Sequence, residues 1–317
     1  MFSVIIPLYN KAPYVRKAIE SVMAQSDTDW ELIIVDNSST DGSFHIAQEM
    51  VKGDRRIQLF QQPNGGVSAA RNNAAAQARG EYLCFLDSDD WWEPGYLEAM
   101  RGLIGRHPGA GIYSATYYIV KNGRCRVAPI GLPPHFTEGP IDYCGVYAQT
   151  LCMPTNCSVA CVPRSLFDTL GGFRSSLTLG EDLDLWLRIT ATHPIVLLNR
   201  PLSYYNQDAD PHHRAIKQLH NPAHHVLWNL EQWAEREHND HTFKQLIDHI
   251  RVYSLYPYYL NHRYRNEARQ ELAKVDWSQQ SPKWRCCYHM PIALLRMNEW
   301  IRSIAVQTKS LLIRRCK

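Results

Sequence analysis

Three aspartates within four residues are the side chains of this sequence best suited to hold a cation. The segment Asp87-Ser88-Asp89-Asp90 follows an apolar run, Tyr82 to Leu86, that predicts a strand. Carboxylates this close repel one another, so a fold that holds them together usually supplies a counter-cation. All-oxygen ligands suit Mg²⁺ or Mn²⁺, which take one or two carboxylates together with waters and substrate phosphate oxygens. The alternative is a solvated acidic turn that caps the helix after Pro94.

Two more polar clusters follow predicted strands. The segment from Asp36 to Gly42 offers Asp36 and Asn37 as hydrogen-bond partners for a base or ribose, or else forms an Asx turn before a helix capped near Asp41. Gly65-Gly66 opens a helix whose free amides face an anion, with Arg71 as a forked cation one turn inside, or is simply a loop. The sequence contains no GxGxxG and no GxxxxGK[ST], which argues against a dinucleotide fingerprint and a P-loop.

A fourth polar cluster, Glu181-Asp182, stands at the start of a predicted helix, Leu183 to Thr190. One interpretation makes one of the two the general base of a reaction, which requires hydrogen-bond reach of the reacting hydroxyl. The other is structural, because acidic residues in a first helical turn are favoured by the helix dipole alone. The spacing leaves both open.

The elements that must position these residues alternate between short apolar runs and helical periodicity over the first 120 residues. This pattern predicts βαβ units and a mostly parallel sheet. Ligands of such sheets bind beyond the carboxyl ends of the strands, so the three clusters that follow strands should line one rim. The predicted elements are strands Val4 to Leu8, Leu32 to Val35, Ile57 to Phe60 and Tyr82 to Leu86, and helices Tyr14 to Gln25, Phe44 to Val51 and Val67 to Arg79, the last with Gly80 as C-cap.

Later in the chain the alternation is less regular. The pattern predicts a helix at Tyr96 to Arg106, a strand from Ile112 to Val120 that leads into a hairpin at Asn122-Gly123, a loop at Pro129 to Pro140 that folds over a ligand, and a strand at Ile195 to Leu198. From about Pro211 onward the chain looks helical. Two helix faces are expected there, made by Val226, Leu230 and Trp233 and by Phe243, Leu246, Ile247 and Ile250.

Composition is that of an ordinary soluble globular protein. Of 317 residues 45% are apolar and 21% charged, which excludes disordered, collagen-like and integral-membrane classes. Residues 1–210 carry a net charge of −5 and residues 211–317 one of +8, which separates an acidic half from a basic half. A pI near 8.3 is too mild to indicate nucleic acid by itself. Nine irregularly spaced cysteines indicate neither a disulfide framework nor structural zinc. They and the absence of a signal-like amino terminus predict a cytoplasmic setting.

Six motifs, in order across some 200 residues, resemble the inverting family 2 glycosyltransferases, which adopt the GT-A fold. They are SVIIPLYN from Ser3, ELIIVDNSSTDGS from Glu31, GGVSAARNNA from Gly65, GEYLCFLDSDDWWEPGYL from Gly80, GGF from Gly171 and GEDLDLWLR from Gly180. The resemblance implies an α/β fold with a Rossmann-like, mostly parallel central sheet flanked by helices. It implies a catalytic domain at 1–210, with nucleotide-binding (1–100) and acceptor-binding (101–210) halves, followed by a helical extension at 211–317.

The resemblance also implies roles for individual residues. Tyr9 would stack on the nucleobase, Arg71 would approach the diphosphate, Asp87 would face the ribose, and Asp89 would bind Mn²⁺ or Mg²⁺. Asn37 departs from the pair of acids usual at this place, which weakens an assignment of uracil. The implied nucleotide-sugar-binding residues are Pro7, Tyr9, Asn10, Asp36, Asn37, Arg71, Asp87, Ser88 and Asp89.

Asp182 matches the position of the family's catalytic base, which would deprotonate an acceptor hydroxyl. Asp90 and Glu181 would be supporting neighbours. Many relatives carry a Tyr-Arg-x-His segment after the next strand, where this sequence has Tyr204 to Asp208 with His212 slightly later. The family's contact of this segment with the diphosphate or the metal would fall here to Asp208 or His212. We expect the histidines between 212 and 262 to form a solvated surface.

The expected activity is metal-dependent, inverting transfer of a hexose or N-acetylhexosamine from a nucleotide-diphosphate sugar, expected to be a UDP-sugar. The acceptor is expected to be a saccharide hydroxyl, lipid-linked in some relatives, in polysaccharide, O-antigen or capsule assembly. A sugar-phosphate nucleotidyltransferase is one alternative, although its Gly-rich basic loop is missing between Ser3 and Lys17. A non-catalytic nucleotide-sugar binder is the other.

The carboxyl-terminal segment has an apolar stripe formed by Leu294, Met297, Ile301, Ile304 and Leu311, with a net charge of +7 over residues 283–317. Such a segment suits peripheral contact with an anionic membrane, here the inner face of the cell membrane. Packing on the catalytic domain or pairing with a second subunit are the competing interpretations.

Overall fold

The computed structural model describes residues 1–209 and 218–297, and the chain divides into two compact units, Met1–Glu231 and Gln232–Lys317. In the described part of the first unit the strands are β1 Phe2–Leu8, β2 Trp30–Asp36, β3 Ile57–Gln61, β4 Tyr82–Phe85, β5 Trp91–Trp92, β6 Ile112–Ala115, β7 Tyr118–Lys121, β8 Arg124–Val127, β9 Glu138–Ile141, β10 Ala160–Pro163, β11 Ile195–Leu198 and β12 Ser203–Asn206. Its helices are α1 Val15–Met23, α2 Ser43–Val51, α3 Gly66–Gln77, α4 Tyr96–Arg106, α5 Tyr143–Thr150, α6 Arg164–Thr169 and α7 Glu181–Thr190.

The central sheet has the strand order β3-β2-β1-β4-β10-β6-β11-β9. Strands β1 to β4 are parallel to one another, and β10 runs antiparallel to both β4 and β6. Every residue of β1 and β2 is buried, as expected for strands covered on both faces. The predicted α/β architecture is confirmed. Because β1, β2, β3 and β4 point the same way, the segments that follow them reach one edge of the sheet.

A second sheet, β5-β12-β7-β8, lies beside the first within the same unit. The single strand predicted from Ile112 to Val120 is wrong, because the chain leaves the central sheet after Ala115 and enters the second sheet at Tyr118. The hairpin at Asn122-Gly123 is confirmed and joins β7 to β8. The predicted loop at 129–140 ends earlier than expected, because strand β9 begins at Glu138 and pairs antiparallel with β11. The segment from Ile112 to Val120 contains no glycine, proline or charged residue, so its sequence gives no signal of a change of sheet.

Gly80 does not cap α3, contrary to the prediction. The helix ends at Gln77, and Ala78 is its cap with extended backbone. Gly80 instead lies against β1, where an added Cβ would stand 2.6 Å from Ser3 Oγ and 2.7 Å from Ser3 N. The position therefore requires glycine because two backbone segments approach closely there.

We expect Gly80→Ala to lower the free energy of unfolding by about 1–3 kcal/mol, because the methyl group overpacks the contact with β1. The matched control is Gly53→Ala, where an added Cβ meets nothing within 4 Å and the backbone is not left-handed. Urea denaturation of both variants gives the comparison. Equal midpoints for the two would contradict the close approach as the reason for this glycine.

In the second unit the described helices are α8 Ala234–Asn239, α9 His241–Ser254, α10 Tyr256–Leu260, α11 Arg265–Leu272 and α12 Pro282–His289. The predicted face of Phe243, Leu246, Ile247 and Ile250 is confirmed, since all four are buried on α9. The other predicted helix face is wrong: short 3₁₀ turns at Val226–Trp228 and Glu231–Trp233 stand in its place.

The carboxyl-terminal stripe lies only partly within the described residues. Its described members, Leu294 and Met297, are 49% and 52% exposed. Ile301, Ile304 and Leu311 lie outside the described residues, as does His212. Among residues 1–209 and 218–297, no helix combines the length and the apolar composition needed to cross a lipid bilayer.

Candidate active site

The loops after β1 and β2 are tied together at the rim of the central sheet. The Asn10 side chain accepts a hydrogen bond from the Thr40 N–H at 2.8 Å, and the Asn10 N–H donates to Ser39 Oγ at 3.0 Å. Asn10 has a left-handed backbone with φ of 50°, a conformation that asparagine tolerates better than most residues. Tyr9 is 43% exposed beside this junction, whereas Pro7 is buried within β1.

Asp36 and Asn37 are both buried at the end of β2, and both have partners in the fold. Asp36 Oδ2 accepts hydrogen bonds from Ser39 N–H and from Gln61 Nε2, each at 3.1 Å, so this oxygen is engaged within the fold. Within the described residues, Asp36 Oδ1 is buried and has no hydrogen-bond partner. Asn37 donates to the Gly66 carbonyl at 3.1 Å and accepts from Gln62, which fixes its amide orientation.

Arg71 joins two carboxylates that are far apart in sequence. Its side chain is 3% exposed on α3, with one guanidinium nitrogen 2.6 Å from Asp87 Oδ1 and the other 3.0 Å from Glu181 Oε1. These charge-assisted bonds connect the end of β4 with the start of α7. The predicted clusters after β4 and at α7 therefore meet in the structure.

The acidic cluster after β4 divides into residues with different surroundings. Asp89 Oδ2 lies 2.6 Å from the Lys11 ammonium, and both side chains are more than four-fifths buried. Asp90 is buried and accepts hydrogen bonds from the Ser158 hydroxyl at 2.6 Å and the Asn206 N–H at 2.8 Å. Burial raises the pKa of Asp89 and Asp90, and in Asp90 the charge of Asp89 adds to that effect.

The capping interpretation of this cluster is wrong. Helix α4 begins after Gly95 and has no side-chain cap, so the aspartates do not serve it. Within the described part of the chain, no group of three or more His, Cys, Asp or Glu side chains is placed to hold a metal ion by itself. A cation at Asp89 would need further ligands from water or substrate.

Asp182 lies in the first turn of α7, next to Glu181. Its Oδ1 accepts a hydrogen bond from the Leu183 N–H at 2.7 Å. Burial, and after it the charge of Glu181, raises the pKa of Asp182 to about 7, while Arg71 opposes the shift. A carboxyl group with this pKa can accept a proton near neutral pH.

The raised pKa of Asp182 predicts a pH dependence of stability. From about pH 4 to pH 7 the folded chain keeps a proton on Asp182 that the unfolded chain has lost, so the contribution of this group to stability falls as pH rises through that window. Asp182→Asn removes the contribution. We expect the unfolding free energy of wild type minus that of the variant to decrease between pH 4 and 7 and to level off above. Thermal unfolding across this range measures it, and a difference independent of pH would contradict the shift.

Two of the remaining predicted residues have clear structural contacts. Ser88 is buried between the aspartates of the cluster. Asp208 accepts a hydrogen bond from the Gly123 N–H at 2.8 Å and one from the Asn122 N–H, so it holds the turn between β7 and β8. These bonds lower the pKa of Asp208.

Sequence reasoning overlooked several residues that contact the site. Lys11 pairs with Asp89, and the Ser158 hydroxyl also accepts a hydrogen bond from the Asp87 N–H at 3.1 Å. Tyr143 OH, Thr155 Oγ1 and Asn156 Oδ1 are buried polar atoms without a hydrogen-bond partner in the described structure. For Lys11 the signal was its place directly after the SVIIPLYN motif.

The chain is similar to known proteins over part of its length. The family described as Glycosyl transferase family 2 matches residues 3–152. The glycosyltransferase GlyA of Streptococcus pneumoniae is 39% identical over 116 residues, which are 37% of this chain and 16% of GlyA. The chondroitin synthase of Escherichia coli is 27% identical over 220 residues, 69% of this chain and 30% of the synthase. The matched region therefore spans less than a third of either relative.

Among solved structures, the chain is similar to residues 1–349 of TarS from S. aureus, crystallised in complex with UDP-GlcNAc. The TM-score is 0.67 at 22% sequence identity, and the match covers 86% of this chain and 79% of the TarS chain. At this level of identity the likeness is one of fold, and it confirms the expected GT-A architecture.

Proposed function

From the match of residues 3–152 to the family 2 glycosyltransferases, we propose that the chain is a glycosyltransferase of this family. In this proposal it transfers a hexose or N-acetylhexosamine from a UDP-sugar to a saccharide hydroxyl, with inversion, in bacterial polysaccharide assembly. The observation that carries the proposal is the Arg71 bridge. It brings Asp87, after β4, and Glu181, next to Asp182, to one place at the rim. A donor-binding group and a proton acceptor thereby lie on the same side of the sheet.

The β1 and β2 ends suit a nucleotide. Tyr9 presents an exposed ring for stacking, and Asp36 Oδ1, which has no hydrogen-bond partner among the described residues, is an acceptor for a base N–H. The structure of TarS was determined with UDP-GlcNAc, a nucleotide sugar of the proposed class. The Asn37 amide is engaged by Gly66 and Gln62, so in our proposal it supports the base site by fixing the loop.

The surroundings of Asp89 fit a divalent cation. The Lys11 ammonium already lies 2.6 Å from Asp89 Oδ2, which shows that this carboxylate accepts a positive charge. One carboxylate, with waters and two phosphate oxygens, is an ordinary shell for Mg²⁺ or Mn²⁺. When bound, such an ion would stabilise charge on the departing diphosphate. Asp89 would hold it, and the partly exposed Asp87 would face the ribose.

Asp182 is the proposed general base. Its Oδ1 is occupied by the Leu183 N–H, so Oδ2 is the atom to which the acceptor hydroxyl would give its proton. The oxygen of that hydroxyl would attack the anomeric carbon from the face opposite the diphosphate, which inverts the configuration. Glu181, held by Arg71, fixes the first turn of α7 and keeps negative charge beside the base.

Asp182→Asn should lower the transfer rate by about 10²- to 10⁴-fold while nucleotide binding persists, because the amide cannot accept the proton. For the wild type, the rate should rise with pH up to about 7 and then level off. The assay detects free nucleoside diphosphate, with UDP-GlcNAc and UDP-glucose as donors and short oligosaccharides as acceptors. Transfer by the variant at the wild-type rate would remove Asp182 from the mechanism, and release of pyrophosphate would indicate nucleotidyl transfer.

Asp89→Ala should abolish the Mn²⁺-dependent increase in melting temperature that UDP produces, because the proposed metal ligand is lost. The control is Asp168→Ala, which removes an exposed carboxylate on α6. Thermal shift with UDP, with and without Mn²⁺, provides the measurement. A full Mn²⁺ response in Asp89→Ala would place the ion elsewhere.

A further inference from the structure

Lys11 is held so that its ammonium lies at the Asp89 carboxylate. The backbone around it is fixed: the Lys11 N–H donates to Ser43 Oγ at 2.7 Å, and the Ala12 N–H donates to Asp41 Oδ2 at 2.9 Å. From this anchor the side chain reaches Asp89 Oδ2, 78 residues later in sequence, at 2.6 Å. In residues 1–209 and 218–297 no other cationic side chain forms a salt bridge with Asp89.

The same oxygen atom cannot pair with Lys11 and bind a divalent cation at full strength. An ammonium and a metal ion placed on one carboxylate repel each other, and with both side chains mostly buried this repulsion is poorly screened. Lysine, unlike arginine, is a point charge on a flexible four-carbon stem, so it can change partners while its backbone stays in place. Arg71, which is forked between two carboxylates, has no such freedom.

We propose that Lys11 is an exchangeable counter-ion of Asp89, which it neutralises until a divalent cation displaces it, and that the freed ammonium then binds the diphosphate of the donor. This inference rests on the proposed function. It makes metal and donor binding mutually dependent: the metal must displace Lys11, and the diphosphate offers Lys11 a new anion. By linkage, each ligand then strengthens the binding of the other.

The test measures Mn²⁺ binding alone, with no nucleotide, by electron paramagnetic resonance of free Mn²⁺ titrated with the full chain. Lys11→Met should bind Mn²⁺ about tenfold more tightly than wild type, since the competing cation is gone. Lys11→Arg keeps a cation and should stay near the wild-type affinity. The matched control is Lys17→Met, because Lys17 lies over the Trp91 ring and does not pair with Asp89.

Lys11→Met leaves Asp89 without its cation, so the variant is expected to be less stable than wild type. The melting temperature with and without Mn²⁺ is therefore measured as a second readout. The melting temperature of Lys11→Met should fall without metal, and Mn²⁺ should raise it more than it raises that of wild type. Lys11→Gln retains a hydrogen-bond donor, so its melting temperature without metal should fall less than that of Lys11→Met. Mn²⁺ should again raise it more than it raises that of wild type. In the presence of Mn²⁺, UDP should bind Lys11→Met more weakly than wild type.

Equal or weaker Mn²⁺ binding by both Lys11→Met and Lys11→Gln overturns the exchange, as does the absence of measurable binding in wild type and variants alike. Asp89→Asn separates this inference from the proposed function. If that variant retains Mn²⁺ binding, the proposed metal ligand is wrong. If it loses Mn²⁺ binding while Lys11→Met matches wild type, the metal site stands and the role of Lys11 fails.

Discussion

The site depends on the two ion pairs that the buried guanidinium of Arg71 forms with Asp87 and Glu181. A charge with 3% exposure is stable only where its partners compensate the loss of hydration, and here two carboxylates do so from opposite sides. Asp87 fixes the end of β4, Glu181 fixes the start of α7, and α3 carries the cation between them. Three elements that are remote in sequence are thereby brought to one point, at which the candidate donor site and the candidate base meet.

A second connection holds the acidic cluster in place. The Ser158 hydroxyl donates to Asp90 and accepts from the Asp87 N–H, while Asp90 also receives the Asn206 N–H from β12. Asp90 is therefore a structural acceptor that links the cluster to both sheets. Its burial is compensated by hydrogen bonds, whereas Asp87 and Asp89 have cationic partners.

Much of the fold could be predicted because local patterns determine it. Fully buried strands such as β1 and β2 are recognisable by their short runs of Val, Ile and Leu, and the hairpin at Asn122-Gly123 follows from backbone preference. The change of sheet after Ala115 could not be predicted, since it depends on which strand the chain meets in space. The role of Gly80 could not be predicted either, because its close neighbour, Ser3, is 77 residues away in sequence.

For the site, the motifs identified the carboxylates but not how they differ. Asp87, Asp89, Asp90 and Asp182 are chemically identical, and their differences arise from their partners: Arg71, Lys11, a serine hydroxyl with a backbone N–H, and the neighbouring Glu181. Of these four, Asp182 makes neither a salt bridge nor a hydrogen bond to a side chain within the described residues, and burial without a paired cation is what raises its pKa to about 7. A cation paired with Asp182 would lower that pKa and weaken it as a base. Arg71 pairs with the neighbouring Glu181 instead, and this arrangement leaves Asp182 basic enough to take a proton at neutral pH.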